Sequence, residues 1–338
     1  MKKAFSLSLT LFFLLLLSMG LTLLYGDTHL TRVLEGAWNK IQGNSTHWNP
    51  LLDERLPRLL VLLCTGASLA VAGTVTQALF QNPLASPSVL GIPAGGGLLV
   101  VIVFILEIHL DFPYAIPLAA FIGCLGSLLL VYALSKQHGQ IQLTHMILTG
   151  IAVSTFVITI QSSILYAFRD RWHIIQTLTE WEAGSTLDRS WVHVHMQLPL
   201  TIFGLLGCWL YSQEINIMSF GEEEAKNLGV NVAKIRWRLF LCVSMLTSGA
   251  VAAVGGIAFF GLILPHLLRR LVGPDNTRLI PFSILGGSAL LTTLDASLRV
   301  FSIHALSIGN ISGIMGGLFF LCLLYGNRYR LKLGIQNA

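Results

Sequence analysis

The stretch FGEEEAKNLGVNVAKIRWR, residues 220–238, is the longest strongly charged run in a chain that is otherwise mostly apolar. Gly221 is expected to precede a helix, and Gly229 to stop that helix about two turns later. Three acids lie in the first turn and suit the positive end of the helix dipole: Glu222, Glu223 and Glu224. The stretch therefore predicts a short charged helix between apolar segments, either an interfacial tether or a docking site for a soluble partner.

The composition around this stretch excludes an ordinary soluble protein. Over 338 residues, 54% are hydrophobic and 11% are charged, and the mean hydropathy is +0.72. Soluble domains carry about 25% charged residues, so the composition predicts a polytopic membrane protein. The five cysteines lie in apolar runs without a CxxC pair, which favours small core residues over a disulfide framework or a metal site.

Apolar segments of span length predict about ten membrane helices in one domain, residues 1–338. They lie at 4–25, 57–80, 92–107, 114–135, 141–168, 191–212, 234–255, 258–271, 279–301 and 309–326. The first is longer than the apolar core of a signal peptide and no A-x-A site follows it, so an uncleaved helix is expected. Residues 26–56 are expected to form a polar external loop, either wholly irregular or with an interfacial helix inside it.

The basic residues predict which side of the membrane each loop occupies. An even number of spans puts both termini on one side, and with the termini inside, thirteen of the 21 basic residues are cytoplasmic. This agrees with the positive-inside tendency. The stretch 220–238 is then cytoplasmic, and several external arginines need a reason to be there.

Glycines and prolines predict both close packing and broken helices. Gly309, Gly313 and Gly317 form two overlapping GxxxG steps, a spacing that lets helix backbones approach closely. Residues 82–97 contain three prolines and four glycines and cannot form one continuous helix. Gly255 and Gly256 predict a second break.

Motifs for an internal energy source or for catalysis are missing from the sequence. No GxxxxGK[ST] loop occurs, and neither HExxH nor GxSxG is present, so nucleotide hydrolysis of the Walker type and the common hydrolase mechanisms lack their residues. The apolar segments hold few ionisable groups, whereas ion-coupled transporters usually place one near mid-membrane. Energy for transport is therefore expected to enter from outside the chain, through the charged stretch.

Two longer motifs resemble those of the FecCD/BtuC family of ABC-importer permeases. Residues 55–58 (RLPR), 66–73 (GASLAVAG) and 77–85 (QALFQNPLA) are similar to the family's RLPR…GxxLAxxGxxxQxxxxNPLA signature. Residues 256–269 (GIAFFGLILPHLLR) are similar to its GxIxFxGLxxPHxxR run. The resemblance covers nearly the whole chain and implies an all-α, BtuC-like type II importer fold with ten transmembrane helices.

The resemblance also implies partners. Residues 219–232 look like the family's coupling helices, which seat in a cytoplasmic ATPase, and the matching positions are Gly221, Glu222, Glu223, Glu224, Ala225, Leu228 and Gly229. Two ATPase subunits and a second permease subunit, identical or paralogous, are implied. ATP and Mg²⁺ are expected on the ATPase, with no cofactor on this chain.

External arginines are explained by the same resemblance. The family's periplasmic or lipoprotein binding protein presents acids to permease arginines, and the matching residues here are Arg55, Arg58 and Arg299. A guanidinium pairs with a carboxylate in a planar, bidentate fashion. The alternative is that each arginine pairs with an acid of this chain, such as Asp53, Glu54 or Asp295.

The end of the chain departs from the family pattern. A glutamate and two prolines are replaced where Ala305, Ser307 and Leu318 stand, so contacts to the path in this segment are not carried over directly. Gate or path residues are expected among Leu143, Thr144, His145, Asn82, Pro83, Ser307 and Gly309.

These observations predict an inner-membrane permease subunit for a ferric siderophore, powered by a partner ATPase. Haem and cobalamin are alternative cargoes of the same machinery. An ion-coupled secondary transporter is the alternative from another class, and an intramembrane enzyme would have only Asp295 and scattered histidines to use.

Overall fold

The computed structural model describes residues 2–25, 30–43, 47–137, 140–141, 143–187, 189–303 and 306–332, and this part of the chain is predominantly helical. Its α-helices are α1 Lys2–Leu24, α2 Leu30–Ile41, α3 Leu56–Leu79, α4 Ile92–Ile105, α5 Ile108–Asp111, α6 Ala115–Leu134, α7 Leu143–Ala167, α8 Trp172–Glu182, α9 Trp191–Leu210, α10 Ser212–Met218, α11 Glu222–Asn227, α12 Val232–Val254, α13 Phe260–Val272, α14 Asn276–Val300 and α15 Ile308–Lys332. A π-helical turn, Pro50–Arg55, leads into α3, and a 3₁₀ turn, Pro87–Leu90, leads into α4. Between α6 and α7 lies a two-residue antiparallel hairpin, β1 Lys136–Gln137 and β2 Gln140–Ile141.

A helix lies at each of the ten predicted positions, and the predicted all-α membrane fold is confirmed. Within the described residues, six helices are long and apolar enough to cross a membrane, and α9 with α10, bent by 57°, makes a seventh if the pair is one span. Helix α13 has 13 residues and is about 20 Å long, shorter than the roughly 30 Å hydrocarbon core. The number of ten crossings therefore stays a prediction.

Helix α3 lies at the centre of the bundle. All of its residues except Leu56, Leu60 and Leu63 are buried, and it packs against α9, α12, α13 and α14. A helix that is apolar on every side is expected in such a central position. Because α3 carries both the RLPR motif and the glycine-rich motif, the sequence signature describes the core of the fold.

Glycine pairs allow the closest helix contacts, although Gly313 and Gly317 of the predicted GxxxG steps have nothing within 4 Å of an added Cβ. A Cβ on Gly66 of α3 would lie 2.3 Å from the carbonyl oxygen of Gly287 in α14. One on Gly73 would lie 1.6 Å from the carbonyl oxygen of Gly261 in α13. Neither distance is possible for a real side chain, so these positions require glycine for backbone contact.

Both predicted helix breaks are confirmed. Helix α3 ends at Leu79 and α4 begins only at Ile92, after Gly91 in the left-handed region (φ 72°). Helix α12 ends before Gly255 (φ 84°), and α13 begins after Phe259 (φ 61°). At both breaks buried residues such as Leu90 and Gly255 alternate with exposed ones such as Leu84 and Phe259.

The segment predicted as an external loop, residues 26–56, contains helical structure, and its position outside the membrane stays a prediction. Helix α2 occupies Leu30–Ile41, and helical structure resumes at Pro50, because the Asn49 side chain accepts hydrogen bonds from the backbone N–H groups of Leu51 and Leu52. Helix α8 was not predicted. It buries one face through Ile174, Leu178 and Trp181, a spacing typical of a short amphipathic helix.

Hydrogen bonds define two opposite ends of the bundle. At the first, which we call the α11 end, α10 contacts the start of α14 through Asn216 and Asp275, and Gln81, just after α3, donates to the carbonyl oxygen of Met218. At the second, the arginine end, the start of α3 contacts the end of α14 through Arg58 and Asp295. Helices α3 and α14 connect the two ends.

Candidate functional site

Helix α11 forms as its sequence predicts. It begins after Gly221 (φ 135°) and contains Glu222–Asn227. The N–H of Gly229 donates to the carbonyl oxygen of Lys226, and the N–H of Val230 donates to that of Ala225. With Gly229 left-handed (φ 82°), this is a Schellman ending, which closes a short helix without help from side chains.

One buried residue and one ion pair hold α11 against the bundle. Ala225 is fully buried, and Val232 at the start of α12 is almost fully buried. Arg236 of α12, only 5% exposed, donates to Glu222 at 2.7 Å, and Lys226 lies 3.1 Å from the other oxygen of the same carboxylate. The helix is therefore fixed to α12 and cannot swing as a loose tether.

The charge contacts also change the titration of Glu222. Partial burial would raise the pKa of its carboxyl, but the hydrogen bonds from Arg236 and Lys226 outweigh burial and lower the pKa below its ordinary value. Glu222 is thus held as a carboxylate by two basic residues of its own chain, and its predicted coupling role stays a prediction.

The remaining residues of α11 form an exposed tip. Leu228 is 67% exposed and Phe220, just before the helix, is 77% exposed, while Glu223 and Glu224 face outward beside them. Among the apolar residues of this stretch, Ala225 and Val232 are buried and Leu228 is exposed. Phe220 was not singled out from the sequence, although an exposed aromatic beside a charged helix is a signal for a docking contact.

A polar cluster connects α10 with α14, and it was not predicted from the sequence. The Asn216 amide donates to Asp275 at 2.7 Å and its oxygen accepts from the backbone N–H of Asn276 at 2.7 Å. Hydrogen bonds from Thr277 and Asn216 lower the pKa of the Asp275 carboxyl. Since α10 adjoins α11, this cluster links the exposed tip to the long helix α14.

At the arginine end, the predicted docking residue Arg58 is 7% exposed and lies against an acid of its own chain. Its Nη2 atom is 2.6 Å from Oδ1 of Asp295, which is 1% exposed. The hydroxyl of Thr186 donates to the same oxygen at 2.6 Å. This arrangement matches the alternative prediction, that the arginine pairs with an acid of its own chain.

The other two arginines also contact their own chain. Arg55 is 4% exposed and donates to the carbonyl oxygen of Leu23 at 2.9 Å. Arg299 is partly exposed and donates to the carbonyl oxygens of Thr22 and Tyr25. The docking role of all three stays a prediction, and in this conformation Arg299 alone among them presents part of its side chain to the outside.

A cavity of about 820 Å³ lies between the two helix breaks. Its wall is mostly apolar or backbone, and it includes Ser86, Pro87, Ser88, Glu182, Thr247, Gly255, Gly256, Phe259, Gly309, Asn310 and Ile314. Binding cavities for small molecules typically combine an apolar wall with a few polar groups. The cavity therefore has the volume, and the combination of apolar and polar wall groups, to hold part of a chelate.

One wall of this cavity is a junction of three backbone segments. A Cβ on Gly309 would lie 2.2 Å from the carbonyl oxygen of Ala183 and 2.3 Å from that of Gly256. The N–H of Gly309 donates to the carbonyl oxygen of Gly184. Gly309, predicted from the motif comparison, thus lies in the cavity wall where three segments meet.

Ser307 explains one departure from the family pattern. Its hydroxyl donates to the carbonyl oxygen of Ala183 at 2.6 Å and accepts from the backbone N–H of Asn310 at 3.1 Å. A proline at this position could make neither bond. Leu318 is 61% exposed, and Ala305 lies outside the described residues.

The other predicted gate residues do not reach this cavity. Asn82 caps a turn by accepting from the N–H of Leu84, and Pro83 is exposed. Leu143, Thr144 and His145 begin α7, away from the residues that line the cavity. Their gate role stays a prediction.

The cavity contains a charged residue that the sequence did not single out. Glu182, the last residue of α8, accepts a hydrogen bond from the amide of Gln161 in α7. Part of its side chain is exposed, yet packing around the carboxyl still raises its pKa, because burial disfavours the charged form. In the sequence, Glu182 is one acid among several near residue 180, and only the fold places it in the cavity.

Known proteins similar to this chain are membrane permeases. A model of the FecCD transport family matches residues 10–326. The hemin transport system permease protein of Yersinia pestis is 35% identical over 86% of this chain and 87% of its own. The Fe(3+) dicitrate transport system permease protein of Escherichia coli is 36% identical over 84% and 87%. A solved metal-chelate type ABC transporter in an inward-facing conformation superposes with a TM-score of 0.80 at 27% identity, covering 95% of this chain and 99% of that one.

Proposed function

The chain belongs to the FecCD transport family, and we propose that it carries a ferric siderophore across the bacterial inner membrane as the permease subunit of an ABC importer. The family match over residues 10–326 carries this proposal. With the cargo stated only as a broader class, the chain is a permease of a type II importer for an iron chelate, haem or cobalamin. It is an integral membrane protein that depends on a separate ATPase.

The geometry of α11 supports the proposed route for the driving energy. The tip formed by Phe220, Glu223, Glu224 and Leu228 is exposed, while Glu222 and Ala225 fix the helix to α12. A partner that moves this tip would therefore move α12 as well, and also α14 through Asn216 and Asp275. Rigid-body coupling of this kind turns closure of an ATPase dimer into helix movement.

We propose the predicted orientation, with both termini and α11 in the cytoplasm. Two ATPase subunits, with bound ATP and Mg²⁺, would then contact two copies of the α11 tip, one from each permease subunit. The arginine end would face the periplasm, where a binding protein delivers the cargo. The positive-inside tendency supports this orientation.

The cavity at the glycine junction is proposed as one half of the translocation path. Its wall holds residues from both helix breaks and from α15. Gly313, which also lines it, has nothing within 4 Å of a built Cβ, so this stretch of α15 leaves space for cargo or for a second permease subunit.

A ferric siderophore is proposed over haem or cobalamin because siderophores are the broadest cargo class of this family. The relatives named above carry hemin and ferric dicitrate, so similarity alone supports a metal chelate without choosing among them. Haem and cobalamin remain the alternatives within the same mechanism.

An ion-coupled secondary transporter is the second candidate, and Asp295 is the observation that bears on it. This carboxylate lies in α14 at 1% exposure, where a coupling ion could bind. Its Oδ1 atom accepts from Arg58 and Thr186, while its Oδ2 atom has no hydrogen-bond partner among the described residues. A cation at Oδ2 would lie close to the guanidinium of Arg58, and the two positive charges would repel each other. The importer is therefore the better supported function.

Reconstitution with and without the ATPase tests this proposal. Proteoliposomes containing the permease, its ATPase and the binding protein should accumulate an iron-loaded trihydroxamate only when ATP is supplied on the ATPase side. Permease alone in a proton or sodium gradient should accumulate none. Gradient-driven uptake by the permease alone would overturn the proposal in favour of a secondary transporter.

A further inference from the structure

Glu182 is the only charged side chain among the described residues that line the cavity. It ends α8, and the next residue, Ala183, begins the glycine junction that forms the cavity wall. Most of the remaining wall is apolar side chain or glycine backbone. The field inside the cavity is therefore dominated by one carboxylate, with low-dielectric walls that strengthen its effect.

The carboxylate is positioned but not neutralised. Gln161 of α7 donates to Oε1 of Glu182, and Gly97 leaves room for this amide, since a Cβ there would lie 2.9 Å from Oε1 of Gln161. No lysine, arginine or histidine of the described chain forms an ion pair with Glu182. By contrast, Asp53, Glu107, Glu222, Asp275 and Asp295 each have a basic partner.

A second polar group in the same wall also lacks a partner. Thr247 of α12 lines the cavity at 2% exposure, and its hydroxyl makes no hydrogen bond to any described residue. A rotation about its Cα–Cβ bond would break no existing hydrogen bond. Buried polar groups are normally satisfied, so an unsatisfied hydroxyl in the same cavity wall as a carboxylate without a basic partner indicates that a polar ligand completes the site.

We propose that Glu182 is a specificity-determining residue that makes the path favour chelates with a cationic or N–H-rich periphery over anionic chelates. This inference rests on the proposed function for the identity of the path, and it deepens that function by naming the charge class of the cargo. A protonated amine or a row of amide donors on the cargo supplies the partner that Glu182 lacks. A polycarboxylate cargo is repelled by the same group.

The charge preference of the cavity can be measured without transport. In full-length permease reconstituted in vesicles, Cys322→Ser removes the exposed native thiol, and Asn310→Cys places a thiol in the cavity wall. The probes are two methanethiosulfonates of similar size, one with a trimethylammonium group and one with a sulfonate. Comparing the ratio of their labelling rates between variants cancels their intrinsic difference in reactivity.

The measured quantity is the labelling rate of the thiol at position 310 by the cationic probe, divided by its labelling rate by the anionic probe. This ratio should be about tenfold higher with Glu182 present than in Glu182→Gln. Glu182→Asp should keep most of the preference, and it serves if the glutamine variant does not fold. The matched control is Glu180→Gln, two residues earlier on α8, whose exposed carboxylate lies outside the cavity lining. It should leave the ratio unchanged.

An equal ratio in wild type and Glu182→Gln would overturn the inference, and so would a thiol at position 310 that neither probe reaches. Because labelling needs no ATP, binding protein or cargo, this outcome is independent of the transport assay. If labelling shows the preference but the complete complex imports no iron trihydroxamate, the proposed siderophore cargo fails and the charge preference of the cavity stands.

Discussion

The α11 end and the arginine end present their charged motif residues in opposite directions. At the α11 end, Glu223 and Glu224 face outward around the exposed side chain of Leu228. At the arginine end, Arg55 and Arg58 are 4% and 7% exposed and contact their own chain. The two motifs look equally charged in the sequence, yet one keeps its acids at the surface and the other fastens helices together.

The difference has a physical cause. A carboxylate on α11 can remain in water, because the helix lies beyond the apolar segments and needs only one acid, Glu222, to hold it. Arg58 lies in α3, which is surrounded on all sides, so its charge requires an internal partner and finds it in Asp295. The comparison predicts that the two ends respond differently to substitution.

The largest effect is expected at the buried pair. Arg58→Ala leaves Asp295 as a buried, unpaired carboxylate and should lower the free energy of unfolding by about 3–5 kcal/mol. Thermal unfolding of the detergent-solubilised chain measures this. The double variant Arg58→Met with Asp295→Leu should recover much of the loss, because both charges are then absent. A single Arg58→Ala variant as stable as wild type would show that the pair is not formed.

The second-largest loss of stability is expected at the glycine junction. Gly309→Ala places a methyl group against the carbonyl oxygens of Ala183 and Gly256, and such overpacking should cost about 1–3 kcal/mol. Gly126→Ala is the matched control, since nothing lies within 4 Å of a Cβ there. If both variants unfold at the same temperature, the three segments do not meet as described.

A smaller effect is expected for the partly exposed arginine. Arg299→Glu should weaken docking of the binding protein about fivefold at low salt, as for a charge at the rim of an interface. The difference should vanish at about 1 M salt, where the Debye length is about 3 Å. Docking by the variant that equals wild type at every salt concentration would remove Arg299 from the interface.

The smallest effect concerns Glu222. Its pKa is lowered in the folded chain, so its contribution to stability is present above the unfolded pKa of about 4.3 and is lost as the pH falls through the lower folded value. Acid unfolding of Glu222→Gln should therefore show a shallower pH dependence in this range than wild type. Glu223→Gln, which removes an exposed acid, should behave as wild type.

These expectations show how far the sequence leads. Hydropathy and glycine spacing predicted the ten helix positions, the two breaks and the closure of α11, because each depends on local residues. The direction of the Arg58 side chain depends on Asp295, 237 residues away in the chain. Helix α8 was not predicted because its apolar face is narrow. The placement of Glu182 in the cavity was therefore not predicted either, since Glu182 is the last residue of α8.

The central claim is that a partner ATPase drives this permease through the α11 tip. In the complex of permease, ATPase and binding protein, Leu228→Asp should lower cargo-stimulated ATP hydrolysis at least about tenfold, because the apolar anchor of the tip is lost. Leu110→Asp alters a leucine of similar exposure, 69% against 67%, in α5, and should leave stimulation intact. Full stimulation with Leu228→Asp would contradict the claim.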